Sequence, residues 1–149
     1  MGYQRIMVAV DGSDTSRLAV QEAIQMAKSM RSNLQIINVV DENFISYCDI
    51  FTVYDQLISS CKEQGQNILN TMGELVRKSK ITCECRLIEL KLYEGRIAEK
   101  IAAEAEAWPA DLLIIGTHGR RGFSHLFLGS VAEDIIRIAS MPVLLVRGK

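Results

Sequence analysis

The sequence predicts an α/β protein, an open parallel sheet of five strands with helices on both faces, formed as one domain over residues 1–149. Three observations carry that prediction. Apolar strand-like runs alternate with helical patterns five strands long, which implies right-handed crossovers and a parallel sheet. The runs Ile6–Val10, Leu112–Ile115 and Val143–Val146 are continuous rather than alternating, as strands covered on both faces require. At 149 residues the chain is long enough to bury roughly 68–70% of its unfolded surface, and it has no internal repeat or low-complexity linker.

The elements follow in order. Arg5 precedes Ile6-Met7-Val8-Ala9-Val10, a buried strand ending at Asp11-Gly12-Ser13-Asp14. Ser13 or Asp14 can cap the next helix, in which Leu18, Ala19, Ala23, Met26, Ala27 and Met30 recur at three-and-four spacing. Ser32-Asn33 breaks that pattern before a second strand, Leu34–Val40, which ends in Asp41. Residues 41–51 show no period and read as a loop. Thr52 with Asp55 has the spacing of a capping box. From Leu57 to Val76 one helical face continues through Ile58, Cys61, Gly65, Ile68, Leu69 and Met72. Gly65 and Gly73 weaken that helix by about 1 kcal/mol each relative to alanine, which points to close packing there.

Ile81–Leu90 reads as a third strand with Cys83, Cys85 and Leu87 on one face, a structural thiol pair on a buried face. Ile97, Ala98, Ile101, Ala102 and Ala105 mark a helix stopped at Trp108-Pro109, because proline disfavours helical geometry in the residue before it. Leu112–Ile115 is the fourth strand. Val131, Ala132, Ile135, Ile136 and Ala139 form the last helix, and Pro142 opens the fifth strand.

A net charge of −1, with 48% apolar and 23% charged residues, gives neither the basic footprint of a nucleic-acid binder nor the composition of a disordered chain. No apolar run approaches the roughly 20 residues of a membrane span, and the amino terminus lacks the apolar core of a signal peptide. The expected location is the cytoplasm. Cys48, Cys61, Cys83 and Cys85 offer one close pair inside a strand rather than two spaced pairs with histidines nearby, so no metal site is expected.

The informative stretch begins at Asp111: a buried strand, then Gly116, Gly119, Gly122 and Gly129, then Ser130 opening a helix. Glycines allow close backbone approach, and unpaired amides at a helix start favour an anion, phosphate above all. Ser130 can add a hydroxyl to a phosphate oxygen or serve only as the helix cap. Asp11 can be a ligand or a loop acid satisfying local amides. Phe123, Leu126, Phe127 and Leu128 read as an anchor pinning the loop to the body. His118 and His125 read as hydrogen-bonding or packing residues, and Arg121 as facing solvent. No lysine precedes Ser130, which excludes a Walker A loop, and the first two glycines are three apart, which excludes the Rossmann fingerprint.

The spacing Gly116-x2-Gly119-x9-Gly129-Ser130 resembles the nucleotide-binding signature of the universal stress protein family. The likeness spans the chain, through Val10-Asp11-Gly12-Ser13, Val39-Val40-Asp41, Ala110–Gly116 and Met141–Arg147. It implies an adenine-nucleotide alpha hydrolase-like sheet in the order 3-2-1-4-5, with ATP or AMP, and Mg²⁺ as companion of a triphosphate, at the ends of strands one and four. By that resemblance Asp11 would bond the adenosine part, with Ala9, Val10 and Val39 lining the adenine pocket. Gly116, Thr117 and His118 would lie near ribose and phosphate. Gly119, Arg120, Gly122, Gly129, Ser130 and Val131 would hold the phosphates.

No general base or metal-carboxylate cluster accompanies the glycine turn, so the expected function is to hold nucleotide in a stress response with little or no turnover. Slow ATP hydrolysis or self-phosphorylation is the neighbouring alternative. An adenylylating or pyrophosphate-releasing enzyme of the related α/β group would want paired glycines in the loop after strand one, which Asp11–Ser16 lacks. A scaffold that has lost nucleotide binding conflicts with the intact glycine signature. Strand five is an edge in the family's order, and a two-fold homodimer through Val143–Val146 would cover it.

Overall fold

A computed structural model describes residues 2–43, 54–118 and 128–148. The strands are β1 (Arg5–Ala9), β2 (Asn33–Asp41), β3 (Cys83–Leu90), β4 (Leu112–Gly116) and β5 (Val143–Val146). The helices are α1 (Asp14–Met30), α2 (Tyr54–Lys78), α3 (Ile97–Ala107) and α4 (Ser130–Ile138). All strand pairs are parallel, and the sheet runs β3-β2-β1-β4-β5, the order implied by the family resemblance.

Period-two alternation sends successive side chains of each strand to opposite faces, and each face has its own core. Ile6, Val8, Leu34, Ile36, Leu112 and Ile114 meet α1 and α2 through Ala19, Ala23, Leu69 and Met72. Met7, Ile37, Ile88, Leu113 and Ile115 meet α3 and α4 through Ala98, Ile101, Ala132 and Ile135. The central strands are therefore largely apolar on both faces because both sides are covered, with Gln35 and Asn38 as buried polar residues within β2. At the amino ends, Asp111 clamps β4 to β1: its carboxylate accepts the N–H groups of Gln4 and Arg5 at 2.9 and 3.0 Å.

Ser13 is the α1 N-cap, its Oγ accepting the Ser16 N–H at 3.1 Å. The glycines of α2 do mark close packing. A Cβ on Gly65 would lie 2.5 Å from Asn38 Oδ1 and 2.7 Å from Leu87 Cδ1, and one on Gly73 would lie 3.0 Å from Cys85 Sγ. Two expectations need correction. The third strand starts at Cys83, not Ile81, and its thiols are not on a buried face: Cys85 is exposed and Cys83 half-buried, whereas Ile88 and Leu90 are buried. The cause is position, since β3 is an edge strand paired with β2 alone, so that α2 covers this face only in part. The Thr52 capping box lies outside the described residues.

Candidate functional site

In the order β3-β2-β1-β4-β5, chain connections leave β1 toward one edge and β4 toward the other, so the crevice beyond their carboxyl ends is the switch point where open α/β sheets bind ligands. The local sequence builds that end from two helix starts. At the first, β1 stops at Ala9 and Val10 donates its N–H to the Ile37 carbonyl at 2.9 Å. Gly12 then takes φ +85°, a left-handed value that glycine accepts without strain. There a Cβ would lie 3.0 Å from Ile68 Cδ1 on α2. Asp11 Oδ1 accepts the Ser13 N–H at 2.9 Å, so the carboxylate sets the turn into α1.

At the second, β4 ends at Gly116, where a Cβ would lie 2.7 Å from Thr15 Cγ2 in the first turn of α1. Thr117 donates its N–H to the Val146 carbonyl at 2.9 Å, and its own carbonyl accepts the Gly129 N–H at 2.7 Å. That bond returns the chain to the end of β4 just before α4 begins. Gly129 is the α4 N-cap and Ser130 is the first helical residue, which decides against Ser130 as the cap. Because Gly129 spends its amide on Thr117, the first-turn N–H groups of Ser130, Val131 and Ala132 are those that an α-helix leaves without an internal carbonyl. They carry the positive end of the helix dipole.

Of the residues expected at the site, Ala9, Val10, Asp11, Gly116, Thr117, His118, Gly129, Ser130 and Val131 lie on the two segments that meet here. Ala9, Val39, His118 and Val131 are half-buried, Val10 and Thr117 are buried, and Ser130 is exposed. Val39 sits on β2 opposite Ile88 of β3, one strand away from the β1–β4 crevice. His118 Nδ1 and Thr117 Oγ1 are 3.0 Å apart, which fixes the imidazole against the end of β4. Gly119, Arg120 and Gly122 lie outside the described residues. Among the described residues no group of three or more His, Cys, Asp or Glu side chains is placed to hold a metal, and no helix is long and apolar enough to cross a membrane.

Sequence reasoning missed three contributors. Asn38, buried in β2, donates from Nδ2 to the Val10 carbonyl at 2.8 Å and so holds the chain entering Asp11. Its one signal was an amide side chain inside a mostly apolar strand, a signal it shares with Gln35. Thr15 faces Gly116, and the Ala132 amide shares the first turn of α4; neither residue type signals a site. A separate cavity of about 420 Å³, lined by Arg5, Asn33, Thr82 and Trp108 among others, lies at the opposite, amino-terminal end of the strands.

Fold and site together define a doubly wound α/β domain with two helix amino termini gathered at its switch point. The universal stress protein family model matches residues 2–147, and the chain belongs to that family. It is 32% identical over 145 residues, 97% of this chain and 82% of the relative, to a universal stress protein of Methanocaldococcus jannaschii. Two solved structures share the fold. One is a universal stress protein in complex with cAMP, 24% identical, TM-score 0.72, covering 99% of this chain and 98% of that one. The other is the universal stress protein of Archaeoglobus fulgidus in complex with dAMP, 22% identical, TM-score 0.68, covering 98% and 99%.

Proposed function

We propose that this chain is a cytoplasmic stress-response protein that holds an adenine nucleotide beyond the carboxyl ends of β1 and β4 and turns it over slowly or not at all. The observation that carries the reading is the bond from the Gly129 N–H to the Thr117 carbonyl. It fastens the amino end of α4 to the end of β4, and an anion there meets the first-turn amides without any rearrangement of the helix. The cAMP and dAMP complexes of relatives support a nucleotide with an adenine base.

In this reading Ala9, Val10 and Val39 face the base and Asp11 the adenosine part. Gly116, Thr117 and His118 border the ribose. Ser130, Val131 and the glycine loop with Arg120 take the phosphates, the guanidinium supplying charge-assisted bonds. ATP and AMP both fit this chemistry. Mg²⁺ would be carried on the oxygens of a triphosphate, consistent with the sparse carboxylates at the crevice. Holding rather than consuming is favoured because, among the described residues, Asp11 and His118 have structural work: Asp11 sets the α1 turn and His118 is tied to Thr117.

The test is to denature the purified protein and identify any released nucleotide, then to titrate AMP, ATP and cAMP calorimetrically and follow ATP for release of phosphate. Retained or micromolar adenine nucleotide with negligible turnover supports the proposal. Failure of all three nucleotides to bind defeats it, and multiple turnovers per minute would replace holding with hydrolysis.

A further inference from the structure

At the end of the sheet opposite the crevice, the cavity of about 420 Å³ is lined by Arg5, Asn33, Thr82, Glu84 and Trp108. We infer that this cavity binds a linear zwitterion, an ω-amino carboxylate whose carboxylate meets Arg5 and whose ammonium meets Glu84. The site is separate from the crevice and needs no nucleotide.

Register puts the two charges on one face. Arg5 of β1 stands beside Asn33, and Gln35 lies between Met7 of β1 and Glu84 of β3. Arg5 and Met7 are two residues apart, so Arg5, Gln35 and Glu84 share the face that α3 covers. That cover is incomplete at the amino margin. The end of α3 reaches β1, where the Trp108 carbonyl accepts from Arg5 Nη1 at 3.3 Å, and it is tied to β3 one turn earlier, by Arg86 and Glu104 at 2.9 Å. Pro109 prevents a further turn. The amino ends of β2 and β3 are therefore left open here, and the cavity occupies the gap beside Trp108.

Arg5 and Glu84 give the cavity opposite charges, and neither forms an ion pair with the other or with any described residue. Their Cα atoms stand two strands and two residues apart, about 12 Å. A ligand that touches both must carry its charges at the ends of a short chain. The guanidinium spends one of its five donors on Trp108, and its remaining fork suits a carboxylate.

Gln35 supplies an independent sign. It is 1% exposed and donates from Nε2 to Glu84 Oε2 at 3.1 Å, which leaves its own Oε1 buried without a partner among the described residues. Turning the amide over would set two acceptors face to face, so the carboxylate fixes its orientation. An unpaired buried acceptor destabilises a fold. Its effect here is to hold Glu84 by one oxygen, and the other has no protein donor among the described residues. An ammonium completes that carboxylate with a charge-assisted bond.

The experiment uses the full chain, whose one tryptophan is Trp108, so indole fluorescence reports this cavity directly. 4-Aminobutanoate and 6-aminohexanoate are titrated, with butylammonium, butanoate and hexanoate as singly charged controls. A saturable change is expected with at least one amino carboxylate, at an affinity about tenfold or more above every control, and the same with and without saturating AMP. Glu84→Gln keeps an acceptor for Gln35 and Arg5→Gln removes the other charge. Both residues are exposed, so each variant should retain its far-UV spectrum and lose affinity about tenfold or more. No saturable response to either amino carboxylate, equal affinity for a singly charged control, unchanged affinity in either variant or displacement by AMP overturns the site. Should a variant lose its far-UV spectrum, the comparison of doubly and singly charged compounds on the wild-type chain decides. A failure of AMP to bind would defeat the nucleotide reading and leave this titration intact.

Discussion

Thr15 occupies the space in which any residue but glycine at 116 would place its Cβ, 2.7 Å from Thr15 Cγ2 and 3.3 Å from the Thr15 carbonyl carbon. The end of β4 and the first turn of α1 are therefore in contact, with no room for a side chain between them. Gly116→Ala is expected to destabilise the protein by about 1–3 kcal/mol, the usual cost of overpacking, read as a lower urea midpoint at unchanged slope. Thr15→Ser removes Cγ2 and should recover part of the loss in the double variant. Simple additivity of the two changes would show that the contact does not carry the effect.

The phosphate cradle is best tested at Ser130. It is exposed and begins α4, where a carboxylate interacts favourably with the helix dipole. Ser130→Glu should leave the melting temperature unchanged or slightly raised while weakening AMP binding by about tenfold or more, since a like charge stands where phosphate would lie. Gly129→Glu gives a less specific result. A Cβ there would lie 2.9 Å from the Thr117 carbonyl oxygen, so that variant is expected to lose stability along with affinity. Full AMP affinity in Ser130→Glu would remove the amino end of α4 from the site.

Much of this site was legible because it is written in residue types that backbone geometry demands. Gly12 at positive φ, Gly116 against Thr15 and Gly129 against Thr117 each announce a place where a Cβ cannot go. The two faces of the sheet were legible in the continuous apolar strands for a similar reason. Partnership was hidden. Nothing in the sequence tells that the Gly129 amide is taken by Thr117, or that Thr15 rather than a ligand explains Gly116. The edge was hidden too: Cys83, Cys85 and Leu87 alternate as a buried face would, yet only the sheet order reveals that β3 has a neighbour on one side.

Asn38 links the core to the site. Its Nδ2 donates to the Val10 carbonyl at 2.8 Å, and its Oδ1 lies where a Cβ on Gly65 would come within 2.5 Å. Asn38→Ala strands the Val10 carbonyl in a buried setting, a cost of about 1–3 kcal/mol, and frees the chain leading into Asp11. The expected result is a lower denaturation midpoint together with weaker adenine-nucleotide binding. Hydrogen exchange should rise first at Val10 to Ser13. Unchanged stability would mean that water replaces the amide there.

β5 offers the last prediction. Its four residues are all half-buried, and Ile136 and Ile138 of the neighbouring α4 are 51% and 38% exposed, so an apolar margin follows the open edge. Leu113 donates its N–H to the Pro142 carbonyl, and Thr117 to that of Val146. Alternation along a parallel ladder then turns the backbone groups of Val143 and Leu145 outward. A second copy pairing there would cover the edge and its apolar margin together. Leu145→Pro removes an outward N–H while sparing the bonds to β4, a substitution that edge strands tolerate. The wild-type chain is expected to scatter light as a dimer at micromolar concentration and Leu145→Pro as a monomer with the same far-UV spectrum. A wild-type monomer would rule out the homodimer, and a dimeric Leu145→Pro would place its interface elsewhere.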